Sequence, residues 1–189
     1  RPATLSVLIV PSVVANDSEA VAQTQPCAPI DLFCRKERPE HLGENVFFNA
    51  ATIVGEGDAK ADLERRVKRL GLESRVMLRG AVSDQELLDY LARCRAVCFP
   101  AAHEDYGLVT VEAFASAKAV ITCTDSGGPA ELVRDQTTGL VVAPSPQALS
   151  VAMALLMDDR GFAERLGSAA RQRAATMTWA RTLEQLLLV

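Results

Sequence analysis

From residue 46 onward, short apolar runs alternate with longer stretches in which apolar residues recur at helical spacing. Residues 46–54 are rich in β-forming side chains and close on the turn Gly55-Glu56-Gly57. A helix is predicted over 59–70, with Leu63, Val67 and Leu70 on one face and Gly71 as its stop. A short strand at 76–78 runs into Arg79-Gly80. Ser83 and Glu86 then form a capping-box pattern ahead of Leu87, Leu88 and Leu91. Further strands are expected at 96–100, 119–122 and 140–142, with helices after Gly107 and over 130–133. Ser145-Pro146 reads as an N-cap followed by proline in the first helical position. From there the chain is helical to its end, with breaks near 158–161 and 177–178. Strands alternating with helices through Gly-containing turns predict an α/β fold: a parallel sheet with helices on both faces.

The first 45 residues are less regular. Residues 5–14 are strand-like, 16–29 read as a loop or linker, and 31–34 as a short strand. The expected organisation is an irregular N-terminal segment or linker with a first strand at 1–45, followed by one domain at 46–189. The chain has 189 residues, enough for one α/β domain with a sizeable core. It is 49% apolar but only 5% aromatic, a balance that favours helices layered on a parallel sheet over a β-sandwich. A net charge of −4 gives no basic surface for nucleic acid. No apolar run approaches the ~18 residues that span a bilayer, and 5–14 is too short to be a secretory signal. The five cysteines form no metal-ligand or redox pattern, so they are expected to be reduced, mostly buried thiols of a cytoplasmic protein. The chain begins with Arg1 and ends within an apolar helical pattern, as a piece of a longer protein would.

The candidate chemistry lies at 103–112, His-Glu-Asp-Tyr-Gly-Leu-Val-Thr-Val-Glu. Glu104 falls in the loop at the carboxyl end of a strand, and Glu112 about one turn into the next helix. In open α/β sheets ligands bind at that end. Gly107 permits close backbone approach at a helix entrance whose free N–H groups attract anions. Two carboxylates that accept from hydroxyls thus flank a site suited to phosphate, a combination that matches a sugar nucleotide. His103 reads as a loop residue more than as a base, and Gly55-Glu56-Gly57 as a structural turn. Gly127-Gly128 serves either a tight turn or ligand approach. The charges at 171–173 read as a solvated helix face.

The series Ile53-Val54-Gly55-Glu56-Gly57, Leu70-Gly71-Leu72, His103 through Ala113, Ala119-Val120-Ile121-Thr122, Asp125 through Val133 and Thr138 through Val142 resembles a known family. It is similar to the C-terminal, nucleotide-sugar-binding domain of retaining glycosyltransferases of group 1, over roughly residues 50–185. The resemblance implies a Rossmann-like domain that is one half of a GT-B fold. It also implies a hexosyl transferase that uses a UDP- or GDP-sugar with retention of anomeric configuration. Glu112 would bond the ribose hydroxyls, the amides of Gly107, Leu108 and Val109 would face the pyrophosphate, and Glu104 would lie beside the donor sugar at the reacting centre. Residues around Gly80 would border the base. No metal or other cofactor is implied, because positive side chains and the helix N-terminus offset the leaving diphosphate.

In the family those charges come from an Arg and a Lys, commonly followed by Arg-Pro. Here Arg35 and Lys36 are the candidates, or else Arg38-Pro39 aligns and Glu37 occupies the Lys position. Ala117-Lys118-Ala119 stands where the family usually has Gly-x-Pro. The acceptor-binding N-terminal domain has no counterpart in the sequence, so it or a partner chain would have to supply the rest of the cleft. Any peripheral membrane association would come through that domain alone. Two other readings stay open: a non-catalytic nucleotide-sugar-binding module or degenerate fragment, and a sugar-nucleotide epimerase.

Overall fold

A computed structural model of the chain describes residues 6–9 and 50–187. The expected loop at 16–29, strand at 31–34, the pair Arg35 and Lys36, and Cys27 and Cys34 lie outside the described residues. Among the described residues six strands form one sheet: β1 (Ser6–Ile9), β2 (Ala50–Val54), β3 (Val76–Gly80), β4 (Ala96–Cys98), β5 (Ala119–Cys123) and β6 (Gly139–Val142). Their order is β3-β2-β1-β4-β5-β6, and every neighbouring pair is parallel. The strand expected within the N-terminal segment is thus the centre of the sheet: Ser6 pairs with Ala50 on one side and Val7 with Ala96 on the other. The sheet draws on both sides of the boundary expected at 45/46.

The helices are α1 (Lys60–Arg69), α2 (Asp84–Arg93), α3 (Leu108–Ala115), α4 (Gly128–Leu132), α5 (Pro146–Asp158), α6 (Arg160–Ala174) and α7 (Trp179–Leu187). Their ends follow the local chemistry read from the sequence. The Ser83 hydroxyl accepts from the Glu86 amide at 3.3 Å, and the Glu86 carboxylate accepts from the Ser83 amide at 2.9 Å. Ser145 caps α5 by accepting from the Ala148 amide, and Asp159, at the expected break, caps α6 through the Phe162 amide. Helix α4 begins at Gly128, ahead of the expected residue 130, because proline at position 129 fits the first turn. Strand β4 is shorter than the expected 96–100. Pro100 has no amide hydrogen to extend the ladder. Among the described residues no helix is long and apolar enough to cross a membrane.

Both faces of the sheet are buried, as alternation along the strands requires. Ala96, Cys98, Ala119, Ile121 and Cys123 belong to one core, packed with Leu149, Met153 and Leu156 of α5 and Leu166 of α6. Val97, Phe99 and Val120 point the other way, toward Leu91 of α2 and Ala113 and Phe114 of α3. Cys94, Cys98 and Cys123 are buried, and burial beside Cys123 holds the Cys98 thiol far above its ordinary pKa.

Helix α3 ends in a Schellman motif: the Ala117 amide donates to Phe114 O and the Lys118 amide to Ala113 O, each at 2.9 Å. The motif places Ala117 in the left-handed region, at φ 55°. A side chain there is strained by about 1–2 kcal/mol. Ala117→Gly is therefore expected to raise stability by up to about 1 kcal/mol, less than the strain because glycine also gains freedom in the unfolded chain. Gly167 of α6 packs against the Ala117 carbonyl, which a Cβ at 167 would strike. Gly167→Ala is expected to cost about 1–3 kcal/mol by overpacking. Thermal midpoints of the two variants should thus move in opposite directions; a midpoint for Gly167→Ala equal to the parent's would contradict the packing argument.

Candidate functional site

The carboxyl ends of β4 and β5 carry two loops that are joined along their backbones. The Phe99 amide still pairs with Ile121 O at 2.8 Å, and the buried Thr122 hydroxyl donates to Phe99 O at 3.0 Å. Beyond the strands, the His103 amide donates to Asp125 O, the Glu104 amide to Ser126 O, and the Gly128 amide to Glu104 O at 3.0, 3.2 and 2.8 Å. Ser126 is fully buried, and its hydroxyl accepts from the Cys123 amide. Gly127, at φ 68°, leaves no room for a side chain: a Cβ there would lie 2.5 Å from Glu104 O. At 128 a Cβ would fall 2.8 Å from the Tyr106 backbone. The glycine pair therefore serves close backbone packing of one loop on the other, beyond the tight turn and ligand approach weighed from the sequence.

This packing fixes the entrance of α3. Gly107 is the N-cap in the left-handed region, at φ 73°, and a Cβ there would lie 2.5 Å from the Pro129 ring. No side chain caps the helix. The Thr110 amide turns back to Gly107 O at 2.8 Å, while the Leu108 and Val109 amides precede any intrahelical acceptor. Leu108 is 66% exposed, so the helix start is open to a ligand. The sheet order reverses between β1 and β4, and α3 follows β4, so this entrance lies at the topological switch point.

Of the residues expected at a site, Gly107, Leu108 and Val109 form this helix entrance, Glu104 lies in the loop before it and Glu112 on the helix after it. Glu104 is half-buried in the joined loops, and His103, exposed at φ 54°, is part of the same ladder. Glu112 sits on the second turn of α3. Partial burial, reinforced by the nearby charge of Asp84 at the start of α2, raises its pKa above the ordinary carboxylate value. Gly80 ends β3 at the edge of the sheet, three strand spacings or about 14 Å from β4.

The surroundings of Gly80 include a residue that the sequence reading passed over as a turn. The Glu56 carboxylate accepts from the Ala81 amide at 3.0 Å and from Lys60 Nζ at 3.2 Å. Those two bonds hold its pKa below the ordinary value, the Ala81 amide contributing most. Glu56 thereby ties the loop after β2 to the end of β3. Its i,i+4 spacing to Lys60 was visible in the sequence, but the Ala81 partner, 25 residues away, was not.

A separate cavity of about 730 Å³ lies at the β6 edge, lined by Val141, Val142, Val151, Leu155 and Phe162 among others; it includes no residue of the β4–α3 loop. Among the described residues no three of His, Cys, Asp and Glu converge as a metal site would require.

Residues 49–173 match the family model described as Glycosyl transferases group 1. The chain belongs to that family. It is 34% identical over 119 residues to the D-inositol 3-phosphate glycosyltransferase of Corynebacterium glutamicum, covering 63% of this chain and 28% of that one. It is likewise 34% identical over 123 residues to a glycogen synthase of Mycobacterium tuberculosis, covering 65% of this chain and 30% of the relative. The chain thus spans about a third or less of the length of these curated relatives. Its fold resembles that of HepE from Anabaena in complex with UDP and glucose, with a TM-score of 0.71 and 23% identity over 97% of this chain and 47% of that one. The fold is the Rossmann-like half of a GT-B architecture.

For this group 1 glycosyltransferase domain, Glu112 carries a cost when no ligand is bound. Its folded pKa is raised, so the native state binds more protons than the unfolded state above about pH 4.5, and stability falls as pH rises through the raised value. Glu112→Gln mimics the neutral acid. The variant and the parent should have similar thermal midpoints at pH 4, and the variant should melt higher at pH 7. Equal midpoints at both values would show that Glu112 is not desolvated as described.

Proposed function

We propose that this chain is the donor-binding half of a retaining glycosyltransferase that moves a hexosyl unit from a UDP- or GDP-sugar to an acceptor. The observation that carries this reading is the uncapped start of α3 at the sheet's switch point, with Glu112 on the following turn. Aligned amides and the helix dipole stabilise an anion at such a place, and the same groups stabilise a diphosphate as it departs. Glu112 accepts hydrogen bonds from the ribose hydroxyls, while Gly107, Leu108 and Val109 bring their backbone to the pyrophosphate. Glu104, anchored among the described residues through its main chain, turns its side chain to the donor sugar. Gly80 and its neighbours, held by Glu56, border the base.

Arg35 and Lys36 supply positive charge to the leaving group, and no metal is needed. Support for a nucleotide-sugar donor comes from HepE, a fold relative solved with UDP and with UDP-glucose. The acceptor is held by a further domain or by a partner chain, in keeping with the third or less of its curated relatives that this chain spans. Burial of Cys94, Cys98 and Cys123 fits a cytoplasmic setting.

A narrower second reading is binding without transfer, in keeping with the third or less of its curated relatives that this chain spans. Calorimetry with UDP-glucose and GDP-mannose separates the levels of the proposal. Glu112→Ala should weaken donor binding by about 10–100-fold, the worth of hydrogen bonds to a charged group. Glu104→Ala should leave binding within a few-fold and lower turnover once an acceptor domain is supplied. Chelation with EDTA should change neither. If both variants bind the donor like the parent, the site is misplaced. If donor binds but no pairing gives transfer, the binding-module reading stands. The anomeric configuration of the product, read by NMR, tests retention.

A further inference from the structure

At the opposite end of the sheet, where β4 and β5 begin, a cavity of about 150 Å³ is lined by Cys94, Arg95, Ala117, Lys118, Arg160, Ala163 and Glu164. Three cations thus face one acid. Lys118 is held in place from below: its ammonium donates to the Ala92 and Cys94 carbonyls at the end of α2, at 3.0 Å each. Arg160, in the first turn of α6, pairs with Glu164 through Nε at 2.6 Å, which leaves the outer guanidinium nitrogens unused in that contact. Arg95 is the anomaly. Its Nε is buried and has no hydrogen-bond partner, and the guanidinium makes no ion pair among the described residues. A buried donor on a charged group left without a partner keeps the full cost of its desolvation. Desolvation, with repulsion from Arg160, already lowers the Arg95 pKa.

We propose that this cavity binds a phosphate group, through Arg95 and Arg160 with the Lys118 ammonium behind them. Arginine forks match the geometry of phosphate oxygens. A phosphate would satisfy Arg95 Nε and bring the ring from a net charge of +2 toward neutrality, which a water molecule would not do. The volume selects the ligand class. Pockets for drug-sized molecules run to about 300–1,000 Å³, so this one admits a phosphate head and not a nucleotide sugar. The site is distinct from the donor site, since Arg95 and Lys118 precede the strands whose far ends lead into Glu104 and Gly127. The proposal does not depend on the glycosyltransferase reading.

The test is calorimetric titration of the whole chain with inorganic phosphate and, separately, glycerol 3-phosphate. Each titration is run at constant ionic strength and with the donor site saturated by UDP. Phosphate should bind in the parent. Arg160→Gln, a change at an exposed side chain, should weaken binding by about 10–100-fold, the range for hydrogen bonds to a charged group. Arg95→Gln should do the same, with circular dichroism confirming its fold. Glu164→Gln, which removes the one acid, should tighten binding several-fold. Glycerol 3-phosphate binding as well as phosphate would identify a phosphomonoester as the ligand; binding of phosphate alone would identify the free ion. Heat no greater than that from chloride at equal ionic strength overturns the proposal, as does phosphate binding that survives both arginine substitutions. Because UDP binding is measured in the same samples, failure of this site and failure of the donor site are separately visible.

Discussion

The loops after β4 and β5 are joined by main-chain hydrogen bonds that carry the parallel pairing past the ends of the strands, from Phe99–Ile121 to Glu104–Gly128. The joint exists only because positions 127 and 128 have no side chains to separate the two backbones. Everything at the site inherits its position from it. Pro129 follows the glycines and abuts Gly107; Gly107 sets the direction from which α3 starts; α3 sets where Glu112 stands. Glu112 is thus placed through a backbone joint at the glycine pair and the Pro129 ring that packs on Gly107.

The two cores explain why this edge can be so open. The strands β4 and β5 are buried on both faces, and α3 is held against the sheet by Ala113 and Phe114. The exposed start of α3 is therefore anchored one turn further on by fully buried residues. At its other end the helix stops in a Schellman motif that delivers Lys118 to the carbonyls closing α2. One eight-residue helix, about 12 Å long, thus connects an anion-attracting entrance with a ring of cations beyond its exit.

Most of the elements were legible in the sequence because their signals are local. The pair Ser83 and Glu86 are three residues apart, Gly71 follows its helix directly, and Gly107 separates a strand from a helix by a single loop. What was not legible is non-local. Residues 5–14 read as strand-like, but nothing in them says that Ser6–Ile9 lies between β2 and β4, because both partners are supplied by segments beginning at residue 50 and residue 96. Gly127-Gly128 looked equally suited to a turn or to a ligand, since the Glu104–Tyr106 backbone they accommodate lies in another loop. Glu56 looked like a turn residue for the same reason, and the ring of Arg95, Lys118 and Arg160 is assembled from three separate connections. The candidate site residues named from the sequence fall mostly on one continuous stretch, 104–112, with Gly80 apart from it; Arg35 and Lys36 depended on an alignment that the local pattern does not fix.

Glu104 meets the neighbouring loop through its amide and carbonyl alone, whereas 127 and 128 meet it through the absence of a side chain. The two halves of the joint therefore differ in evolutionary freedom. Any L-amino acid except proline can supply the amide and carbonyl at 104, but only glycine fits opposite. The side chain at 104 can accordingly be exchanged without disturbing the loop that presents it. Variation is thus tolerated on one side of a rigid joint and barred on the other.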